Sequence, residues 1–132
     1  MAHQPDTSLH LIADIEGCSG LGDLALVEQA LRDAATAARA NVLGVHLHHF
    51  GPGMGVTGVA LLAESHISIH TWPEHGIAAV DLFVCGLDAD AEAGLDVIRT
   101  RLCGRIRFRQ AVSRLGGAPI SPEDFLGRVR AR

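Results

Sequence analysis

The sequence has 132 residues, which is close to a common domain size and long enough to bury one apolar core. Hydrophobic residues make up 48% and charged residues 20% of the chain, as in ordinary globular proteins. The formal net charge is −4 with the histidines neutral, so composition gives no reason to expect binding to nucleic acid or to an anionic membrane. We expect a single domain over residues 1–132.

The amino-terminal residues and the cysteines bear on location. The chain opens without a basic start or a long apolar segment, and the apolar stretches Val59–Ala63 and Ile77–Val84 are too short to span a bilayer. The cysteines, Cys18, Cys85 and Cys103, contain no CxxC pair, so neither a disulfide framework nor a thiolate zinc site is expected. We predict a cytoplasmic location.

Hydrophobic periodicity predicts strands and helices in the order β-α-β-β-β-β-α-β. The strand-like runs are residues 9–16, 42–50, 56–63, 66–71, 77–85 and 105–112, of which the third and fourth could form one bent strand. The helical runs are residues 23–40 and 88–103, and a short helix is expected from Pro122. Two main helices can cover only one face of such a sheet, so the pattern predicts an α+β, two-layer fold with an antiparallel sheet.

The alternation within the strands sorts their side chains between two faces of the sheet. An apolar set is expected to face the helices: Leu43, Val45, Leu47, Ile67, Ile69, Val80, Leu82 and Val84. The opposite set is rich in histidine: His46, His48, Phe50, His66, Ser68, His70, Asp81, Phe83 and Cys85. Such a face is solvated, packed on a partner or a functional site, and a bulge near Ser65 would shift part of it.

The histidine-rich face leaves several interpretations open. His66 and His70, with His46 and His48, could supply imidazole ligands to a metal, but their segment is strand-like and lacks the helical spacing of common zinc motifs. A hydrolase built on Cys85 would need a histidine and a third, orienting group, and the sequence indicates no such group. For any single histidine, the plainest explanation is that it has no functional role. We predict no metal.

One continuous segment accounts for these residues together. It contains the strings Gly55-Val-Thr-Gly58, Ala63-Glu-Ser-His-Ile-Ser-Ile-His-Thr-Trp-Pro-Glu74 and Ala78-Ala-Val-Asp-Leu-Phe-Val-Cys-Gly86. These strings resemble the prokaryotic S-adenosylmethionine decarboxylases, most strongly over residues 43–86. The resemblance implies a pyruvoyl-dependent lyase, made as a proenzyme, that decarboxylates S-adenosylmethionine for polyamine (spermidine) biosynthesis.

The resemblance implies that the chain cuts itself. Ser65 Oγ would attack the carbonyl of Glu64 and convert the amide into an ester, and elimination would release residues 1–64, the β chain, from residues 65–132, the α chain. Residue 65 would be left as a dehydroalanine, which hydrolyses to a pyruvoyl group. The carbonyl of that group condenses with the substrate amine and takes up the electrons freed with carbon dioxide. Ser65 suits this chemistry because it is a small hydroxyl residue at a break between two strand-like runs.

Three more residues receive catalytic roles from the resemblance. His70 is implied as the base that removes the α-proton of Ser65 during cleavage. Thr57 stands where the family carries the hydroxyl that supports the oxyanion; serine is common there, so threonine keeps the hydroxyl and adds a methyl group. Cys85 is implied as the acid that returns a proton to the α-carbon of the substrate.

Phe50, Trp72 and Glu74 are the implied substrate-binding residues. A sulfonium and an adenine call for aromatic faces, so Phe50 or Trp72 would stack on adenine while Glu74 binds the ribose or balances the sulfonium charge. The chain has no Tyr, one Trp and four Phe. Compared with the usual pattern of the family, it carries an extra residue within residues 51–55 and has an acidic residue, Glu16, in its first strand. These departures keep L-ornithine and L-arginine open as alternative substrates.

The family forms dimers whose sheets face each other in an αββα arrangement, with active sites built from both subunits. The resemblance therefore implies a homodimer or higher homo-oligomer of processed protomers, with a small-molecule substrate and no nucleic-acid or membrane partner. An unprocessed relative that keeps the fold and acts as a binding subunit is the alternative. The presence of Glu64, Ser65, His70 and Cys85 favours the enzyme.

Overall fold

The computed structural model describes residues 3–117 and 121–131. The elements in chain order are a 3-10 turn (Pro5–Thr7), β1 (Ser8–Glu16), α1 (Leu24–Ala37), β2 (Val42–His49), β3 (Val56–Leu62), β4 (Ser65–Trp72), β5 (Ile77–Val84), α2 (Ala91–Arg101), β6 (Arg105–Arg114) and α3 (Pro122–Arg130). The predicted order of strands and main helices is confirmed, as is the short helix from Pro122. The third and fourth strands are separate strands joined by a tight turn, not one bent strand.

The strands form one six-stranded antiparallel sheet in the order β2-β3-β4-β5-β1-β6. Helices α1 and α2 pack together on one face, where the largest fully buried side chains include Leu11, Leu31, Ile67, Ile69, Leu82 and Ile98. The α+β fold is therefore confirmed. No helix in the described part of the chain is long and apolar enough to cross a membrane.

Both main helices start later than the sequence pattern predicts because an aspartate caps each amino terminus. The Asp23 carboxylate accepts a hydrogen bond from the Leu26 amide at 3.1 Å, and the Asp90 carboxylate accepts one from the Ala93 amide at 3.0 Å. Each cap satisfies an amide that has no partner inside the helix, so the helix starts at the next residue.

The face of the sheet opposite the helices, which we call the open face, carries the predicted histidine-rich set. The strand register places Thr57 between His48 and His70, and places Ser68 beside Asp81. These side chains share a face because directly paired residues of antiparallel strands point the same way.

The prediction that Leu43 faces the helices is wrong. Its side chain is 73% exposed. The pairing of β2 with β3 shifts at this point, since Val42 lies opposite Leu62 while Gly44 lies opposite Leu61. An extra residue in one strand breaks the period of two, so Leu43 turns away from the core.

Candidate active site

A strained two-residue turn joins β3 to β4. It consists of Ala63 and Glu64, and Leu62 pairs with Ser65 across it. Glu64 has a φ of 64°. A residue other than glycine adopts this left-handed conformation at a cost of about 1 kcal/mol. Ser65 follows as the first residue of β4, and its hydroxyl donates to the carbonyl oxygen of Ala63 at 3.3 Å.

The thiol of Cys85 lies against this turn. Its Sγ donates a hydrogen bond to the carbonyl oxygen of Glu64, with a sulfur–oxygen distance of 2.9 Å. The oxygen belongs to the peptide group that links Glu64 to Ser65. A donor placed there polarises the carbonyl and stabilises negative charge that develops on its oxygen.

Residues near the amino terminus form hydrogen bonds with Glu64 and with the residue that follows Cys85. The His3 amide donates to the Glu64 carboxylate at 2.7 Å, and the Gly86 amide donates to the Thr7 hydroxyl at 3.0 Å. The next residue, Ser8, has its Oγ 3.3 Å from the sulfur of Cys85. We call Ser8, Glu64, Ser65 and Cys85 the turn cluster.

A second group of predicted residues meets at the other end of β4. Thr57 on β3 pairs with His70, and the Thr57 Oγ1 lies 3.2 Å from His70 Nδ1. Trp72 follows two positions later on the same face, with its ring centroid 6.4 Å from that of His70. Together with Phe50 and Glu74 these residues line a groove of about 330 Å³. We call Phe50, Thr57, His70, Trp72 and Glu74 the groove cluster.

Thr71, which the sequence pattern did not single out, holds the strand ends that line the groove. Its buried hydroxyl accepts from the Val56 amide at 2.8 Å and donates to the carbonyl of Leu21 at 2.8 Å. Gly55 packs on it so closely that an added Cβ would lie 2.0 Å from the Thr71 carbonyl oxygen. The start of β3, and with it Thr57, is thereby held against β4. The only sequence signal for Thr71 was its place inside the string that carries the resemblance.

The two clusters do not meet within one chain. Ser65 and His70 lie five positions apart on a continuous strand. At about 3.3 Å per residue this spacing separates them by roughly 17 Å. His70 therefore cannot reach the α-proton of Ser65 in its own chain, and its neighbour Thr57 cannot reach the carbonyl of Glu64.

A network of hydrogen bonds centred on Asp81 lies between the clusters. The carboxylate accepts from His10 Nε2 at 2.7 Å, from His66 Nε2 at 2.9 Å and from the Ser68 hydroxyl. Burial by itself would raise the pKa of Asp81, but the hydrogen bonds from Ser68, His10 and His66 outweigh it and bring the pKa below its ordinary value. We call these four residues the Asp81 network.

His10, His66 and Asp81 are close enough together to suggest a metal-binding set. The hydrogen bonds of His10 argue against that use. Its Nδ1 lies 3.0 Å from Nη1 of Arg114, and because a guanidinium only donates, Nδ1 accepts and Nε2 carries the proton given to Asp81. Both ring nitrogens are thus occupied, so we interpret the group as a hydrogen-bonded network.

The fold is shared with a solved structure. The crystal structure of the adenosylmethionine decarboxylase from Aquifex aeolicus matches this chain with a TM-score of 0.77 and 36% sequence identity, covering 89% of this chain and 98% of that one. The α+β fold of this chain therefore matches that of an adenosylmethionine decarboxylase.

Sequence comparison defines the family. The model of the family described as S-adenosylmethionine decarboxylase matches residues 9–114. The S-adenosylmethionine decarboxylase proenzyme of Thermomicrobium roseum is 46% identical over 92 residues, which are 70% of this chain and 79% of the relative. The proenzyme of the same name from Methanococcus aeolicus is 48% identical over 92 residues, 68% of this chain and 78% of the relative. The chain belongs to the S-adenosylmethionine decarboxylase family, which serves polyamine biosynthesis.

Proposed function

We propose that this chain is a proenzyme that cuts itself between Glu64 and Ser65 and then decarboxylates S-adenosylmethionine with a pyruvoyl group on residue 65. The observation that carries the proposal is the 2.9 Å hydrogen bond from the Cys85 thiol to the carbonyl oxygen of Glu64, at a strained turn. Relatives named S-adenosylmethionine decarboxylase proenzymes support both the substrate and the self-cleavage.

Self-cleavage begins at the Ser65 hydroxyl. In the resting turn this hydroxyl donates to the Ala63 carbonyl, and rotation about the Cα–Cβ bond turns its oxygen toward the carbonyl carbon of Glu64. Attack closes a five-membered ring and places negative charge on the Glu64 oxygen, where the Cys85 thiol already donates. When the ring opens, its carbon–nitrogen bond breaks, and residues 1–64 remain attached to Ser65 Oγ as an ester.

In the next step a base removes the α-proton of Ser65, the Cβ–Oγ bond breaks, and residues 1–64 leave with a free carboxylate. The dehydroalanine left at residue 65 takes up water and loses ammonia to give the pyruvoyl group. Because the chain's own His70 lies roughly 17 Å away along β4, we infer that the base is the partner's His70. Two protomers would pack with their open faces together in an αββα arrangement, so that the groove cluster of each meets the turn cluster of the other. A two-fold axis makes this contact reciprocal and gives two sites per dimer.

The open face supports this packing. Apolar side chains are exposed on it, including Ile12 and Leu61, which pair with Asp81 and His66 respectively. A partner sheet would remove these side chains from water and cover the Asp81 network.

The residues of the turn cluster fit the group that self-cleavage would produce, because residue 65 is a serine whose preceding carbonyl already has a donor. A pyruvoyl group supplies a carbonyl that condenses with the substrate amine and accepts the electrons released with carbon dioxide. The Cys85 thiol, beside residue 65, holds the proton for the α-carbon of the substrate.

The groove cluster favours S-adenosylmethionine over L-ornithine or L-arginine. Phe50 and Trp72, 55% and 43% exposed, offer aromatic faces to an adenine and a sulfonium, and Glu74 offers a carboxylate to the ribose. Glu16, which had suggested a basic substrate, lies 3.8 Å from Arg105. The relatives described above carry the S-adenosylmethionine name, so the comparisons give no support to the basic amino acids.

Intact-mass spectrometry under denaturing conditions tests the proposal. We expect two polypeptides, residues 1–64 and 65–132, the second lighter by one ammonia than a chain that starts with serine. Release of labelled carbon dioxide from S-adenosylmethionine, with ornithine and arginine compared, then tests the substrate. One intact chain after long incubation would contradict self-cleavage and favour the binding-subunit alternative.

We place the reaction in the cytoplasm, where free Cys18, Cys85 and Cys103 stay reduced.

A further inference from the structure

A buried hydroxyl, that of Ser8, contacts the Cys85 thiol. Ser8, the first residue of β1, is 4% exposed and is, with Thr71, one of the two buried polar side chains in the described residues. A buried hydroxyl without a partner is destabilising, and Ser8 meets this need with its contact to the sulfur of Cys85 at 3.3 Å. Nothing in the sequence pattern marks Ser8, which lies 77 positions away from Cys85.

The direction of this hydrogen bond follows from the other contact of the thiol. Cys85 has one S–H proton, and that proton is given to the carbonyl oxygen of Glu64. The sulfur therefore accepts from Ser8, and the donors run from the Ser8 hydroxyl through the thiol to the carbonyl. A sulfur that accepts a hydrogen bond becomes a better S–H donor, because neighbouring hydrogen bonds polarise one another.

The backbone keeps the two side chains together. The residue after Ser8, Leu9, pairs with Val84 across the β1–β5 ladder, and the hydroxyl of the residue before it, Thr7, accepts a hydrogen bond from the Gly86 amide at 3.0 Å. The chain segments that carry Ser8 and Cys85 are thus joined by hydrogen bonds on both sides of the Ser8–Cys85 contact. The thiol is held between a fixed donor and the carbonyl that it contacts.

We propose that Ser8 is a positioning residue for self-cleavage, which directs the thiol proton of Cys85 onto the carbonyl oxygen of Glu64. The inference rests on the proposed cleavage between Glu64 and Ser65 and on the donor role of Cys85 in it. Ser8 itself does not touch the reacting peptide group, and it acts through the thiol.

The first test is the rate of cleavage of the full chain, followed by denaturing electrophoresis after in vitro synthesis. Loss of one hydrogen bond to the thiol in Ser8→Ala should slow the conversion about three- to tenfold. Ser8→Thr keeps the hydroxyl and should cleave within about twofold of the wild-type rate. Ser113→Ala, which removes an exposed hydroxyl from the neighbouring strand β6, is the matched control and should not change the rate.

The second test measures the thiol without any cleavage. In a Ser65→Ala chain the infrared S–H stretching band of Cys85 is identified by its loss on the further change Cys85→Ala. Adding Ser8→Ala to the Ser65→Ala chain should move this band to higher frequency, because the S–H group becomes a weaker donor. A purely structural role of Ser8 would leave the band in place.

The two tests separate the inference from the proposed function. Slow cleavage by Cys85→Ala together with wild-type cleavage by Ser8→Ala would overturn the role of Ser8 alone. Slow cleavage by Ser8→Ala with an unmoved S–H band would also overturn it, since the effect would then be on stability. Wild-type cleavage by Cys85→Ala would instead remove the donor role of the thiol, and the inference would fall with it.

Discussion

The turn cluster and the groove cluster occupy opposite ends of β4 and are built for different tasks. In the turn cluster, small polar groups contact one another directly, as in the chain from Ser8 through Cys85 to the Glu64 carbonyl, with distances of 3.3 and 2.9 Å. In the groove cluster, the rings of Phe50 and Trp72 stand exposed around a concave surface. The first arrangement suits proton and acyl transfer at one fixed peptide group, and the second suits the binding of a ligand.

The difference teaches that, under the proposed mechanism, each cluster needs residues that the other one holds. The turn cluster holds the hydroxyl and the thiol, whereas the imidazole of His70 and the hydroxyl of Thr57 belong to the groove cluster. A β-strand is a rigid spacer, so bending it cannot bring Ser65 and His70 together. In the dimer that we propose, a second copy of the chain, turned by a two-fold axis, would close the gap without changing either cluster.

The largest expected effect comes from removing the nucleophile of the turn cluster. Ser65→Ala leaves no hydroxyl to attack the Glu64 carbonyl, so the chain should remain intact and decarboxylation should fall by at least about 10³-fold. Denaturing electrophoresis and labelled carbon dioxide release measure the two effects. Normal turnover by this variant would contradict the assignment of Ser65 as the nucleophile.

A mixing experiment tests whether the two clusters act across protomers. His70→Ala should stop or strongly slow cleavage, as should Ser65→Ala. Co-expressed, the two variants form mixed dimers in which the His70→Ala chain supplies Ser65 and its partner supplies the imidazole. With random pairing, about a quarter of the sites should regain cleavage. Tagged chains resolved by mass spectrometry show which one is cut, and no recovery would mean that the site is not shared.

Loss of an aromatic face in the groove cluster should have a smaller and different effect. Phe50→Ala should raise the KM for S-adenosylmethionine about threefold to tenfold, because stacking on adenine is lost, while the rate of self-cleavage stays unchanged. Steady-state kinetics and cleavage kinetics give the two numbers. Leu43→Ala, on the exposed edge of the same sheet, is the control. A cleavage defect in Phe50→Ala would contradict the proposal that this ring serves substrate binding alone.

The smallest effect concerns the Asp81 network, which lies between the clusters. Because hydrogen bonds hold the pKa of Asp81 below its ordinary value, its ionised form contributes stability above that value and loses it as the pH falls through the folded pKa. Asp81→Asn should therefore lose less unfolding free energy than the parent between about pH 5 and pH 2.

Urea unfolding of uncleaved Ser65→Ala chains at each pH gives the comparison. Asp88→Asn, which changes an exposed carboxyl in the loop before α2, serves as the control. An identical pH dependence for Asp81→Asn and its parent would mean that the network does not stabilise the folded carboxylate.

Local pattern was enough for a large part of the fold. The order of strands and helices, the buried positions of Ile67 and Ile69, and the open-face placement of His66 and His70 all follow from hydrophobic period and strand alternation. Leu43 is the exception, because a bulge depends on how β2 pairs with β3 and not on the sequence of β2 alone.

The sequence by itself determined the candidate residues and the faces on which they lie, since motifs and alternation are local properties of the chain. Only the tertiary structure decided which candidates meet. Five positions between Ser65 and His70 would be a short distance in a helix but are a long one in a strand. Ser8 and Cys85, 77 positions apart, come together because β1 pairs with β5 in the sheet. Contacts of this kind depend on strand order, which no local pattern encodes.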